Sequence, residues 1–275
     1  MTNGHAEQGP DSPAVLAEVL KFYHDSGATC TLRDSLDAGD AAQISEETRA
    51  RRRDPVKKQH KTVETSLLHW AMEAKTAAMN CNNLEELRRA ICAFEGCEIK
   101  KSAMNTVFSD GNACAKIMLI GEAPGSSEDR EGIPFCGASG QLLDKMFAAI
   151  GLSRATNIYI SNSVFWRPPG NRKPTDFELE VCRPFVEKHI SLIDPDVVVM
   201  VGSTACCALM QTQDSISRIR GKFYEYTNSF LSRTIAAMAI FHPAYLLRQP
   251  LQKRLAWEDL KMLRAHIETH NIKVR

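Results

Sequence analysis

Residues 116–137 read KIMLIGEAPGSSEDREGIPFCG, a short apolar run that ends in a glycine-rich turn. An unbroken apolar run of this length is typical of a strand buried on both faces of a parallel sheet. Together with 116–121, comparable runs occupy 157–161 (NIYIS), 197–202 (VVVMVG) and 235–241 (IAAMAIF). Helical patterns alternate with these runs, at 139–150, 175–193, 203–211 and about 251–270. We therefore predict an α/β fold, a three-layer α/β/α sandwich with a central four-stranded parallel sheet.

Local signals indicate where several helices begin and end. Thr175 and Glu178 have the spacing of a capping box, in which each residue satisfies a free N–H of the first turn. Ser203 follows a glycine and is a candidate N-cap for the helix after the third strand. Gly151 suits the end of the helix that follows the glycine-rich turn. A further helix is predicted at 84–93 (LEELRRAICA), ahead of the first strand.

The N-terminal part of the chain differs in composition from the rest. Residues 12–27 (SPAVLAEVLKFYHDSG) predict an amphipathic helix inside an N-terminal helical extension, 1–36. Residues 37–80 are polar and charged, with RARRR at 49–53, and predict a flexible basic linker. This linker has two interpretations, a solvated tether or an arm that adds affinity for phosphates. The main domain is expected at 81–275.

Bulk properties exclude several classes of protein. The formal net charge of +1 gives no sign of a nucleic-acid partner, so any such surface must come from local clustering. No apolar run approaches the ~20 residues of a membrane helix, and the N-terminus lacks a secretory pattern. Nine cysteines, two of them adjacent, indicate reduced thiols rather than a disulfide framework. We expect a cytoplasmic monomer without a membrane partner.

Polar side chains follow three of the four predicted strands at the point where each strand ends. Glu122 follows the first strand, Asn162 the second and His242 the fourth. In open parallel sheets, ligands bind beyond the carboxyl ends of the strands, so these three residues should meet at one edge. Taken singly, each has a plain structural interpretation: a turn out of a strand, a loop cap and a strand-end histidine.

Taken together, these residues suit a pocket for a planar base. The Asn162 amide both donates and accepts, so it can read a base edge. The His242 imidazole can stabilise negative charge on a leaving base, and the Glu122 carboxylate can support a cationic sugar or orient water. Phe135, which by default would be a core residue, can stack on the base.

Three separated segments carry a family resemblance: 121–143 (GEAPGSSEDREGIPFCGASGQLL), 158–172 (IYISNSVFWRPPGNR) and 241–248 (FHPAYLLR). In this order they closely resemble the family 4 class of bacterial and archaeal uracil-DNA glycosylases, over roughly residues 84–270. The resemblance implies a monofunctional enzyme that flips uracil out of single- or double-stranded DNA, hydrolyses the N-glycosidic bond and releases free uracil. That reaction would initiate base excision repair.

The resemblance also implies roles for individual residues. It makes Glu122 the catalytic carboxylate and His242 the group that stabilises the uracil anion. It assigns uracil binding to four positions: Phe135, Asn162 and the backbone amides of Ala123 and Gly125. Glu128 and Asp129 lie in the same motif, and the sequence does not separate support of the loop from a share in positioning water.

Contacts with DNA are expected around this pocket. The resemblance implies that the loop 243–248 enters the minor groove and fills the space that the base leaves. Phosphate contacts are expected from the turn 167–173 and from a helix start at 203–204. The predicted DNA-binding residues are Arg167, Asn171, Arg172, Ser203, Thr204, Tyr245 and Arg248.

The chain departs from the family at the metal site. Family 4 enzymes typically hold a four-iron cluster on four cysteines, and the matching positions here are Phe94, Cys97, Trp166 and Cys182. Ligation of such a cluster requires four thiolates. We therefore predict no cofactor, with Phe94 and Trp166 packed where the cluster would sit and Cys97 and Cys182 as remnants. Cys92 is a conceivable substitute ligand, but a tryptophan in place of another thiolate argues against it.

Other functions remain as alternatives. A branch of the superfamily that traps its product covalently carries a basic, histidine-containing insertion after the first motif, whereas here 135–139 runs straight into a helix, which favours turnover. A second alternative is that this chain is a superfamily member that excises hypoxanthine or mismatched thymine, although the base-reading position of Asn162 favours uracil. A damage binder without turnover is disfavoured by the intact polar set. A phosphate-binding loop is disfavoured because GEAPG lacks the required spacing.

Overall fold

The computed structural model describes residues 65–274. The predicted helix at 12–27 and the basic run at 49–53 lie outside the described residues. Six strands are present in this part of the chain: β1 (Asp110–Gly111), β2 (Ile117–Gly121), β3 (Ile158–Asn162), β4 (Val197–Val201), β5 (Phe223–Tyr226) and β6 (Ile235–Ile240).

The helices alternate with the strands much as the sequence predicts. The first five are α1 (65–79), α2 (Leu84–Ala93), α3 (Ser126–Glu131), α4 (Ala138–Ala148) and α5 (Asp176–Ile193). The remaining four are α6 (Ser203–Met210), α7 (Ile216–Ile219), α8 (Pro243–Arg248) and α9 (Lys253–Thr269). Among residues 65–274, none of these helices has both the length and the apolar character needed to cross a membrane.

The strands form one mixed sheet in the order β1-β3-β2-β4-β6-β5. The four predicted strands are its centre and pair in parallel, as predicted. The sequence did not indicate the two edge strands, β1 and β5, which pair antiparallel to β3 and β6. An edge strand faces a single neighbour and is only partly buried, so it lacks the continuous apolar run of a central strand.

Helices cover both faces of the sheet and give the three predicted layers. Along β2, Met118 and Ile120 point into one core, together with residues of α2, α5 and α6. Ile117 and Leu119 point into the other, together with residues of α4 and α9. All five residues of β2 are buried, which explains why this strand has no polar alternation.

Two of the predicted helix ends are confirmed and one is wrong. The capping box of Thr175 and Glu178 starts α5, and Gly151 has a left-handed φ of 77° just after α4. Ser203 is the first residue of α6, and the N-cap is Gly202, with φ of 95°. Glycine suits this position, because L side chains rarely adopt such a φ and an added Cβ would lie 3.0 Å from the Cβ of His242.

The described part of the predicted linker is helical. Helix α1 occupies residues that were assigned to the linker 37–80, and its Ala74 and Ala78 are fully buried in the core. Leu67, Trp70 and Ala77 of the same helix pack against this core. The segment 65–79 is mostly apolar, so the linker prediction, which rested on the charged residues before it, extended too far along the chain. The part of the linker at 37–64 lies outside the described residues.

Candidate active site

A cavity of about 840 Å³ opens at the carboxyl ends of the parallel strands. Its wall includes Glu122, Asn162 and His242, the three side chains that the sequence placed at this edge, and Phe135, the predicted stacking residue. The register of the sheet explains the convergence, because Gly121 at the end of β2 pairs with Asn162 at the end of β3. His242 comes two residues after the end of β6, on the far side of β4.

Glu122 is held by the start of helix α6. Its Oε2 accepts a hydrogen bond of 2.5 Å from the hydroxyl of Thr204, a residue that is 7% exposed. The positive end of the α6 dipole also favours a negative charge at this place. The carboxylate has no other hydrogen-bond partner among the described residues, so its Oε1 is free to interact with a ligand or water.

The two neighbouring acidic residues support the loop. Glu128 accepts hydrogen bonds from the N–H groups of Gly125 (3.1 Å) and Gly137 (3.0 Å), which engage both of its oxygens. Asp129 is 2% exposed and accepts from the N–H groups of Met104 and Asn105. Of the three carboxylates between 121 and 130, Glu122 is therefore the one that the geometry leaves available for chemistry.

Asn162 presents an unsatisfied amide to the cavity. Its side chain makes no hydrogen bond to any residue between 65 and 274, although the residue is only 2% exposed. Gly121 creates the room for it, because a Cβ there would lie 2.4 Å from Asn162 Oδ1 and 2.5 Å from the ring of Phe135. An amide whose donor and acceptor face only the cavity is available to bind a polar ligand edge there.

His242 faces the cavity in a defined tautomer. It is the N-cap of α8, and its Nδ1 accepts a hydrogen bond of 3.1 Å from the N–H of Ala244. In the neutral ring the proton therefore lies on Nε2. Burial lowers the pKa of His242 below its usual 6.5, against an opposing effect of Glu122. The ring is thus a neutral hydrogen-bond donor at pH 7.

The remaining uracil-binding candidates also line the cavity. The Phe135 ring lies 5.7 Å from the His242 ring, centroid to centroid. Ala123 and Gly125 are both part of the wall. The Gly125 N–H is bound by Glu128, whereas the Ala123 N–H has no hydrogen-bond partner within residues 65–274.

The seven predicted DNA-binding residues fall into two groups. Five of them line the cavity: Asn171, Arg172, Ser203, Tyr245 and Arg248. Arg167 and Thr204 do not. The Arg167 guanidinium donates to Asn171, and the Thr204 hydroxyl donates to Glu122.

Arg172 has a strong partner within the protein, since it binds Glu178 through two hydrogen bonds of 2.8 and 2.6 Å.

Sequence reasoning missed Ile216 and Ser217, which α7 adds to the cavity wall without any recognisable motif.

The residues at the cluster positions do not fit a four-iron cluster. Cys97 and Cys182 are 1% and 0% exposed, and a hydrogen bond with Cys97, together with burial, raises the pKa of Cys182. Phe94 and Trp166 are buried at 4% and 1% exposure. No group of three or more potential metal ligands occurs in the described chain, and Cys92 is exposed.

Aromatic contacts occupy this region instead. The Phe94 ring packs edge-on against Phe185 at 5.2 Å, and the indole N–H of Trp166 donates to the hydroxyl of Thr106 at 2.9 Å. The one polar atom of the tryptophan side chain is therefore satisfied while its ring is buried.

Comparison with known proteins agrees with this geometry. Residues 108–261 match the model of the uracil DNA glycosylase superfamily. The Type-4 uracil-DNA glycosylase of Archaeoglobus fulgidus is 37% identical over 185 residues, 66% of this chain and 92% of the relative. Those of Sulfurisphaera tokodaii and Thermotoga maritima are each 34% identical, over 66% and 62% of this chain and 84% and 88% of the relatives. The chain belongs to the uracil-DNA glycosylase superfamily.

Proposed function

We propose that the protein is a monofunctional uracil-DNA glycosylase that flips uracil out of DNA and hydrolyses its N-glycosidic bond. The observation that carries the proposal is the convergence of Glu122, Asn162 and His242 on one cavity, each with a polar atom uncommitted to the protein. The similarity to Type-4 uracil-DNA glycosylases supports the same reaction.

Recognition of the base rests on Asn162 and Phe135. The Asn162 amide donates to O4 of uracil and accepts from N3–H, a pattern that cytosine does not offer. The Phe135 ring stacks on the face of the flipped base. The free N–H of Ala123 is a further donor for a uracil carbonyl. Buried polar groups that are satisfied only by uracil select it over bases that leave them unpaired.

Bond breaking requires charge to be stabilised on both fragments. The electron pair of the glycosidic bond moves to the base, and the Nε2–H of neutral His242 donates to O2 of the departing uracil anion. The Glu122 carboxylate stabilises the cationic sugar and orients the water that adds to C1′. Water supplies the hydroxyl to the sugar, and a proton returns to the base, so the products are free uracil and an abasic site.

DNA is expected to lie across the rim of this cavity. Ser203 and Arg248 are exposed there, and Tyr245 lies on the same wall. We propose that these residues contact the DNA backbone, because exposed basic and hydroxyl groups beside a base pocket suit phosphates. The Thr204 hydroxyl already donates to Glu122. We therefore propose that Thr204 positions this carboxylate and does not bind a DNA phosphate.

An oligonucleotide assay tests the proposed reaction. End-labelled DNA with a single uracil, single-stranded or opposite adenine or guanine, is incubated with the protein and treated with alkali. Cleavage at the uracil is the expected result. Cleavage of parallel substrates with hypoxanthine or mismatched thymine in place of uracil would support the alternative activities, and binding without cleavage would support a damage binder.

Replacing Asn162 with alanine is expected to lower kcat/KM for uracil DNA about 10- to 100-fold, because two hydrogen bonds to the base are lost. Thermal unfolding should change little, since the amide binds no described residue. Asn228→Ala is the matched control: its amide binds Glu187 and Tyr226, near the opposite edge of the sheet. That variant should lose stability and keep its rate. A near-native rate for Asn162→Ala would contradict the role.

We propose that the protein works without an iron–sulfur cluster, because two buried thiols and two aromatic side chains occupy the cluster positions. Protein purified without oxygen is expected to contain less than one iron per chain and to lack the visible absorption of a cluster. Treatment with a chelator should leave uracil release unchanged. Stoichiometric iron that is lost together with activity would overturn this proposal.

A further inference from the structure

The base-stacking residue has an unfavourable backbone conformation. Phe135 has a φ of 52°, in the left-handed region that a bulky residue rarely adopts. Its side chain is nevertheless 6% exposed and in a fixed position, against Gly121 and facing His242. A strained conformation persists only when the surrounding structure holds it in place.

Helix α4 is one of the restraints. A Cβ on Gly140 would lie 1.7 Å from the carbonyl oxygen of Phe135, so the helix passes directly against this backbone. Contact alone does not fix the direction of the Phe135 carbonyl. A hydrogen-bond donor must also meet that oxygen, because it is turned into the protein beside the helix.

Arg154 supplies this donor and a second one. Its Nη2 donates to the carbonyl oxygen of Phe135 at 2.9 Å, and its Nη1 donates to that of Pro134 at 3.0 Å. The guanidinium thus binds the carbonyl oxygens of the two peptide groups on either side of the Phe135 Cα. A planar fork with fixed donor directions determines the orientation of the two peptide groups in a way that a single point charge cannot.

Two carboxylates fix the guanidinium in turn. Asp110 in β1 accepts from Nη1 at 2.9 Å, and Asp144 in α4 accepts from Nε at 3.0 Å. The Arg154 side chain is 20% exposed, and it does not line the cavity. It joins an edge strand, a helix and the loop that carries Phe135, and it reaches the base only through that loop.

We propose that Arg154 is a positioning residue that holds the Phe135 ring in its stacking orientation. This inference rests on the proposed function, since it assumes that Phe135 stacks on uracil. Without the fork the loop can relax from the left-handed conformation, and the ring then leaves the place between Gly121 and His242. Affinity for the flipped base falls, although no group that contacts the base has changed.

Inhibition by free uracil measures this affinity directly, alongside kcat and KM on uracil DNA. Arg154→Met is expected to raise the inhibition constant of uracil about 10-fold, the scale of a lost base stack. Arg154→Lys keeps the charge but donates from a single nitrogen instead of a planar fork, so its effect should be smaller. It also serves if the methionine variant fails to fold.

A double-mutant cycle separates positioning from general stability. In a Phe135→Ala background, Arg154→Met should change the uracil inhibition constant less than 2-fold, because the ring is already absent. Arg233→Met is the matched control: Arg233 binds Asp194, Asp196 and the carbonyl of Pro195 at the opposite edge of the sheet. These partners directly precede β4, at the amino-terminal ends of the parallel strands and away from the cavity. The Arg233→Met variant should have a lower melting temperature and an unchanged affinity for uracil.

The outcomes are distinguishable. If wild-type protein releases uracil but Arg154→Met has the same effect with and without Phe135, or no effect, the positioning role is overturned and the proposed function stands. If wild-type protein releases no uracil from any substrate, the proposed function fails and this inference fails with it.

Discussion

Replacing Glu122 with glutamine should lower kcat about 100- to 10,000-fold, the contribution typical of a side chain positioned for acid–base catalysis. Glutamine has nearly the same shape, and its carbonyl oxygen can still accept the hydrogen bond from Thr204. The variant loses the negative charge that stabilises the cationic sugar and orients water. DNA binding and the melting temperature should therefore be close to those of the wild type, and single-turnover kinetics will show the loss in the chemical step.

A matched control for Glu122→Gln lies nine residues away in sequence. Glu131 is exposed and pairs with Arg130 at the surface, so Glu131→Gln should keep the wild-type rate. If Glu122→Gln stays within 10-fold of the wild type, Glu122 is not the catalytic carboxylate. Attention would then turn to Glu128, whose oxygens both bind loop N–H groups in this structure.

Removing the imidazole of His242 should lower kcat about 100- to 1,000-fold, the cost of one preorganised donor to a developing oxyanion. His242→Ala also removes the N-cap of α8, because Nδ1 accepts from Ala244. His242→Asn separates the two effects, since asparagine is a good N-cap but lacks a donor at the Nε2 position. The kcat of both variants is expected to fall by the same factor. Recovery in His242→Asn would show that the cap, and not the Nε2 donor, matters.

The lowered pKa of His242 determines how the rate and the stability of the protein change with pH. Burial lowers its pKa below 6.5, so the imidazole stays neutral at pH 6.5 and becomes charged only at more acidic pH. The wild-type rate profile should therefore have its His242 titration on the acid side of pH 6.5, and this step should be missing in His242→Ala. Stability should also fall as pH drops below 6.5, because the unfolded chain then binds a proton that the folded site takes up less readily.

The central sheet could be predicted from the sequence because each of its strands is buried on both faces and reads as a continuous apolar run. The strands β1 and β5 could not, since an edge strand carries no such run. Helix α1 was missed for a different reason: the prediction extended the charged linker to residue 80, over a mostly apolar segment. Its Leu67, Trp70 and Ala77 pack on the core beside the buried Ala74 and Ala78.

In the candidate site, too, some residues could be predicted from the sequence and others could not. Glu122, Asn162 and His242 were predictable because the carboxyl ends of parallel strands meet at one edge of the sheet. Glu122 and Glu128 could not be ranked from sequence, since only the direction of each side chain separates them. Arg154 carries no motif, and its partners lie at 110, 134, 135 and 144. Contacts of this kind are visible only once the chain is folded.

The most direct test of the central claim is to count the free uracil released per protein molecule from excess uracil-containing DNA, for the wild type and for Glu122→Gln. We expect many uracil molecules per wild-type protein molecule, and DNA binding with almost no uracil release by the variant. Absence of free uracil from the wild type, or equal release by both proteins, would contradict hydrolysis at this cavity.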